Sequence, residues 1–153
     1  MSDIHGDLKT LLDVFLKERV LERLFLQDGF RLAFLGDMID RGGRQPNVLR
    51  ALLLLQWLFW GKVFILRGNH ESFVLDDREG SFSSAERTRH GSDYVMLGGP
   101  QSRWCEHLSV LNGLFEKMPL FLLLEQHGIL SVHGGVPPFL DSGEDIFPYF
   151  VKL

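Results

Sequence analysis

At 153 residues, 45% of them hydrophobic and 24% charged, the chain is sized for one globular domain with its own core and is neither disordered nor fibrous. A formal net charge of −4 disfavours broad binding to a nucleic-acid backbone, which requires a positive field, so no nucleic acid is expected as a partner. One cysteine, Cys105, excludes an internal disulfide framework and fits a reducing compartment.

Met1 is followed at once by Ser2, Asp3, Ile4 and His5 rather than by a basic and then apolar stretch, so no leader is read and the cytoplasm is the default location. Apolar residues at Leu8, Leu11, Leu12, Phe15, Leu16, Val20, Leu21, Leu24 and Phe25 recur at helical spacing, which predicts one helix from Asp7 to about Gln27, stopped by Gly29. Phe30 to Leu35 reads as a short strand ending at Gly36. Pro46 suits the first turn of a second helix, which continues to Trp60 and stops at Gly61. Its apolar run from Val48 is broken by Arg50 and Gln56 and falls short of the ~20 residues of a membrane span, so it is read as a buried helix and no membrane is expected. Lys62 to Leu66 is a second strand. A polar excursion with some helix follows from Asp76 to Gly99, and Gln101 to Lys117 has helical character. Leu120–Glu125 and Gly128–Val132 form a hairpin around Gln126 and His127. Strands alternating with helices indicate a layered α/β domain.

Metal-competent residues stand where these elements end. The first strand leads to Gly36-Asp37-Met38-Ile39-Asp40-Arg41-Gly42, the second to Arg67-Gly68-Asn69-His70-Glu71, and the last to His133-Gly134-Gly135. A fourth cluster, Asp3-Ile4-His5-Gly6-Asp7, precedes the first helix. Sites in open α/β sheets form outside the carboxyl ends of strands, so the four clusters can share one crevice. Asp3 and His5, two apart at a strand end, face one side and reach one ion. Asn69 and His70, adjacent in extended backbone, diverge so that one binds metal while the other faces substrate. Gly134 and Gly135 let the backbone pass close to a crowded centre. Oxygen and imidazole ligands suit manganese, iron or zinc better than calcium, and without thiolate clusters a structural zinc site is not read.

In order and separation the four clusters resemble the signatures of the phosphoprotein phosphatase family, within the calcineurin-like metallophosphoesterases, from Ser2 to about Pro138. The resemblance implies a β-sandwich flanked by helices, in one domain over 1–153. It implies two divalent ions, with Asp3 and His5 on the first, Asn69 and His133 on the second, and Asp37 bridging them. A hydroxide activated by both ions would attack phosphorus. His70, oriented by Asp40, would protonate the leaving alkoxide, and Arg41 would bind phosphate oxygens. The substrate would be phosphoserine or phosphothreonine in a phosphoprotein or phosphopeptide, with room for regulatory subunits. Asp40-Arg41-Gly42, Asn69-His70-Glu71 and the run from Leu114 to Phe121 resemble the protein-phosphatase branch more than dinucleoside-tetraphosphate hydrolases.

The pattern departs from the family at both ends. Family members have a strand before Asp3-x-His5, and after His-Gly-Gly a stretch supplying a second histidine and a second phosphate-binding arginine. His90, His107 and His127 are not convincing substitutes, so a fragment incomplete at both ends is expected, with weak metal binding and slow turnover. The alternatives are a nucleotide or dinucleoside-polyphosphate hydrolase and a remnant that only binds. Simpler readings stand beside these roles. Asp7 is a helix cap, Glu71 is structural, Cys105 is an inert thiol, and Arg87 and Arg89 are solvated. Asp40 and Arg41 could form no more than a surface ion pair. The run Leu52–Leu55 with Trp57, Phe59 and Trp60 is core, with part left exposed if sheet is missing.

Overall fold

The computed structural model describes residues 1–76, 108–135 and 150–152. The excursion expected over 77–99, the start of the helix expected from Gln101, and Arg87, Arg89, His90, Cys105 and His107 lie outside the described residues.

Helix α1 (Leu8–Lys17) begins where the Asp7 carboxylate accepts hydrogen bonds from the Thr10 amide at 3.0 Å and the Thr10 hydroxyl at 2.7 Å, so Asp7 is a cap. The single helix expected to reach Gln27 is in fact two. Arg19, with a left-handed φ of 50°, divides α1 from α2 (Val20–Leu26). Leu11 and Phe15 are buried on α1, Val20 and Leu24 on α2. At about 100° per residue, a continuous helix would carry Val20 roughly 140° around from Phe15. The left-handed residue resets the phase, and both pairs face the core.

Strand β1 (Leu32–Phe34) runs parallel to β2 (Val63–Ile65), with Leu32 beside Val63 and Phe34 beside Ile65. Parallel pairing needs a crossover, and α3 (Gln45–Leu58) supplies it. With Pro46 in its first turn, α3 buries Gln45, Val48, Leu49 and Leu52, an i, i+3, i+4, i+7 stripe. Its opposite face is apolar too. Trp57 and Trp60, expected in the core, are 73% and 82% exposed: the buried stripe of α3 turns Trp57 outward, and Trp60 lies past the end of the helix.

Period-two alternation divides the side chains of the β1–β2 pair between two clusters. Leu32, Phe34, Val63 and Ile65 join the main core with α1, α2 and α3, while Ala33, Leu35, Phe64 and Leu66 pack with Leu122. Leu122 belongs to β3 (Phe121–Leu124), which pairs antiparallel with β4 (Ile129–Val132) across a 3-10 turn at Glu125–His127, and parallel with β5 (Phe150–Lys152) on its other edge. Helices therefore cover one face of the β1–β2 pair and a second sheet adjoins the other, which is the layered arrangement of a helix-flanked sandwich. Helix α4 (Asn69–Asp76) packs against α5 (Leu108–Lys117), and Val74, Leu111, Phe115 and Met118 extend the main core. Among the described residues, no helix is long and apolar enough to cross a membrane.

Candidate metal centre

The chain start, the segment after β1 and the segment after β2 meet at the carboxyl end of the parallel pair. The Met1 ammonium donates to the Ala33 carbonyl at 2.8 Å, and the Leu35 amide to the Met1 carbonyl at 2.7 Å. Further on, the amides of Asp3, His5 and Gly6 donate to the carbonyls of Gly36, Asp37 and Met38 at 3.2, 2.9 and 2.9 Å. This ladder brings Asp3 and His5 beside Asp37. Asp3 and His5 are not extended, as expected from their spacing, but left-handed, with φ of 56° and 47°.

Among the described residues, the crowded glycines include Gly36 and Gly68. A Cβ on Gly36 would lie 2.5 Å from Gly68 Cα, and one on Gly68 would strike Asp37. Gly134 and Gly135 are exposed, with no described atom within 4 Å of an added Cβ.

Asp37, 2% exposed, is the hub. Its Oδ2 lies 3.6 Å from His5 Nε2, 3.9 Å from His70 Nε2 and 3.3 Å from His133 Nε2. Its Oδ1 accepts the His70 amide at 3.0 Å. That bond exists because Asn69 and His70 open α4 rather than lying in extended backbone, and the carboxylate takes an amide of the first helical turn that has no partner within the helix.

The tautomers follow from the partners. His5 Nδ1–H donates to the Ile39 carbonyl at 2.9 Å, and His133 Nδ1–H to the Leu35 carbonyl at 2.8 Å. In each neutral ring Nε2 is then an acceptor. His5 Nε2 is buried without a hydrogen-bond partner and faces Asp3 Oδ1 at 3.7 Å as well as Asp37. His133 Nε2 faces the Asn69 side-chain oxygen, another acceptor, at 2.8 Å. Acceptors converging on acceptors repel unless a proton or a metal cation lies among them, and imidazoles fixed through Nδ1–H to a carbonyl are the common form of a metal ligand. The residues therefore fit divalent metal. Two sets have their ligand atoms within 4.8 Å of one another and share Asp37: His5, Asp37, His70 and Asp3, Asp37, His133. The expected pairs also lie close together, with His5 Nε2 3.7 Å from Asp3 Oδ1 and His133 Nε2 2.8 Å from the Asn69 side-chain oxygen.

His70 Nδ1–H donates to Asp40 Oδ2 at 2.8 Å, with both side chains buried. This bond raises the His70 pKa above the ordinary imidazole value, against burial, which lowers it. Asp40 is thus not half of a surface ion pair with Arg41. The exposed Arg41 instead approaches the far side of the same ring, NH2 to His70 Nε2 at 3.3 Å. The Asp3 carboxyl is held below its usual range, first by the Ser2 hydroxyl at 2.5 Å. A cavity of about 200 Å³ adjoins the centre, bounded by Asn69, His133, Arg67, Ser72 and Phe121.

Glu71 reads as structural from the sequence. It is fully buried, and its carboxylate accepts four backbone amides from the two metal-competent segments. The available signal was its place three residues after Gly68, where a Glu reaches back to the amide that opens a helix.

The family model for calcineurin-like phosphoesterases matches residues 1–151. Among solved structures, the chain is similar to a protein serine/threonine phosphatase from Saccharomyces cerevisiae with similarity to human phosphatase PP5, at 25% identity and a TM-score of 0.58. The match covers 89% of this chain and 37% of that one, so the chain spans little more than a third of that relative.

Proposed function

The chain belongs to the calcineurin-like phosphoesterase family, and from that premise we propose that it hydrolyses phosphate monoesters in a metal-dependent reaction, acting on phosphoserine or phosphothreonine in a phosphoprotein or phosphopeptide. The observation that carries this reading is the convergence of acceptors on Asp37 beside the His70–Asp40 pair. The likeness to a serine/threonine phosphatase supports the substrate class.

Asp3, His5, Asp37, Asn69 and His133 would hold two divalent ions, manganese, iron or zinc. Such ions supply Lewis-acid polarisation of the phosphoryl group and a nucleophile at neutral pH. His70 would carry a proton at Nε2 and give it to the departing alkoxide. Asp40, by accepting Nδ1–H at 2.8 Å, keeps the ring oriented and favours its charged form. Arg41, exposed beside the same ring, offers phosphate oxygens a planar pair of donors, so negative charge developing on them meets a fixed positive group.

The test is a manganese titration of the purified chain, following phosphate release from a phosphopeptide and hydrolysis of a dinucleoside polyphosphate in parallel. Metal-dependent release from the phosphopeptide is expected, reduced by at least about 100-fold in His70→Asn, the range of general-acid removal, and in Asp37→Asn. A preference for the dinucleoside polyphosphate would overturn the substrate class. Manganese binding without turnover of either would leave a binding module.

A further inference from the structure

We infer that Glu71 is a positioning residue for the metal centre: its carboxylate locks the backbone of Asp37 so that Asp37 Oδ2 faces His5, His70 and His133 together. This rests on the metal-centre reading above.

One oxygen of Glu71 ties the two crossing segments to each other. Oε2 accepts the Asp37 amide at 2.9 Å and the Gly68 amide at 2.8 Å. Oε1 accepts the Met38 amide at 2.9 Å and the Ile39 amide at 3.3 Å. All four partners are donors, so only a carboxylate, with acceptors on both oxygens, satisfies them. The fold keeps this group at 0% exposure, where burial raises its pKa and opposes the charged form. The segment it grips needs holding. Asp37 has a φ of 56°, a conformation that persists in a non-glycine residue only when its surroundings over-determine it. Asp37 Oδ1 meanwhile accepts the His70 amide from the same helical turn. Backbone and carboxylate of Asp37 are thus both fixed from the start of α4, at a crossing so close that neither Gly36 nor Gly68 has room for a side chain.

The prediction separates positioning from mere structure. In Glu71→Gln one oxygen becomes an NH2 facing amide donors, while size is kept. Amide hydrogen exchange would be followed by NMR on the metal-free wild type, Glu71→Gln and Glu71→Asp, and manganese affinity by calorimetry on all three. Protection should fall at Asp37, Met38, Ile39 and Gly68 while Leu32 and Leu66, bonded within the β1–β2 pair, keep theirs. Manganese should bind about 10- to 100-fold more weakly to Glu71→Gln, the range for residues that orient metal ligands, and Glu71→Asp should lie between it and wild type. Unchanged protection at the four amides, or wild-type manganese affinity in Glu71→Gln, would overturn the inference. So would protection lost throughout the sheet in both variants, since Glu71 would then hold the fold rather than the centre. A wild type that binds no manganese would end the metal-centre reading, and the exchange pattern would still decide what Glu71 holds.

Discussion

Asp3, His5, Asp37, Asp40 and Arg41 all have left-handed backbone, with φ between 47° and 66°. Each such conformation costs an L-residue about 1–2 kcal/mol, and the candidate centre concentrates five of them. Hydrogen bonds to partners outside the strained residues offset this: Glu71 accepts the amides of the segment after β1, and Asp40 accepts His70 Nδ1–H. The residue types were legible in the sequence, because aspartate and histidine beside glycine at strand ends are letters that can be counted. Their backbone conformations were not, since extended and left-handed residues are spelled alike. The His70–Asp40 bond carries a pH prediction. The folded His70 pKa is raised, so the pair's contribution to stability is complete below the unfolded imidazole value of about 6.5 and is lost as pH rises through the folded pKa. In Asp40→Asn, the His70 ring resonances of the metal-free chain should titrate at lower pH, and this part of the pH dependence of unfolding should shrink. An unmoved midpoint would mean that Asp40 does not govern the ring.

Among the elements, most of the strands and helices were visible in periodicity, with boundaries drawn in by a residue or more, but the phase of α2 was not. Leu12, Leu16, Leu21 and Phe25 fit the predicted continuous stripe as well as their neighbours do, yet they are 50%, 78%, 47% and 70% exposed. Arg19 decides between the candidate stripes, and no rule of spacing marks an arginine as left-handed. Leu24→Ala, at a side chain 1% exposed, should destabilise the chain by about 2–5 kcal/mol. Leu26→Ala, two positions on and 74% exposed, should stay within about 0.5 kcal/mol of wild type. Urea unfolding midpoints compare the two directly, and similar shifts would refute the phase reset at Arg19. Asn69 and His70 make the same point at α4. The letters before Glu71 read as a strand end, whereas the Gly68 carbonyl already accepts the Ser72 amide at 3.1 Å and the helix has begun.

Across the whole molecule, α3 is apolar on both faces, and its outer face carries Leu54, Trp57 and Leu58, with Trp60 just beyond its end, all more than half exposed. Phe25 of α2, 70% exposed, packs edge-to-face on Phe59 with ring centroids 4.8 Å apart, so apolar surface also lies at the junction of α2 with the end of α3. A double substitution Trp57→Ser and Trp60→Ser should reduce binding of an environment-sensitive apolar dye and raise the concentration at which the chain stays monomeric in sedimentation. Stability should change by no more than about 1 kcal/mol, as these rings bury little. Unchanged dye binding would place the adhesive surface elsewhere. The family signatures, the metal-competent residue types and the alternation of strand with helix are legible in the amino-acid letters, since each is written within a few consecutive residues. The phase of α2, the exposure of Trp57 and Trp60, the convergence of three imidazoles on one oxygen of Asp37 and the grip of Glu71 arise only when the chain packs. Those depend on partners far apart in the chain, as His133 is from Leu35, and on backbone turns that put distant segments side by side. Local pattern constrains what a residue can do, and the packing of the chain selects which residue it meets.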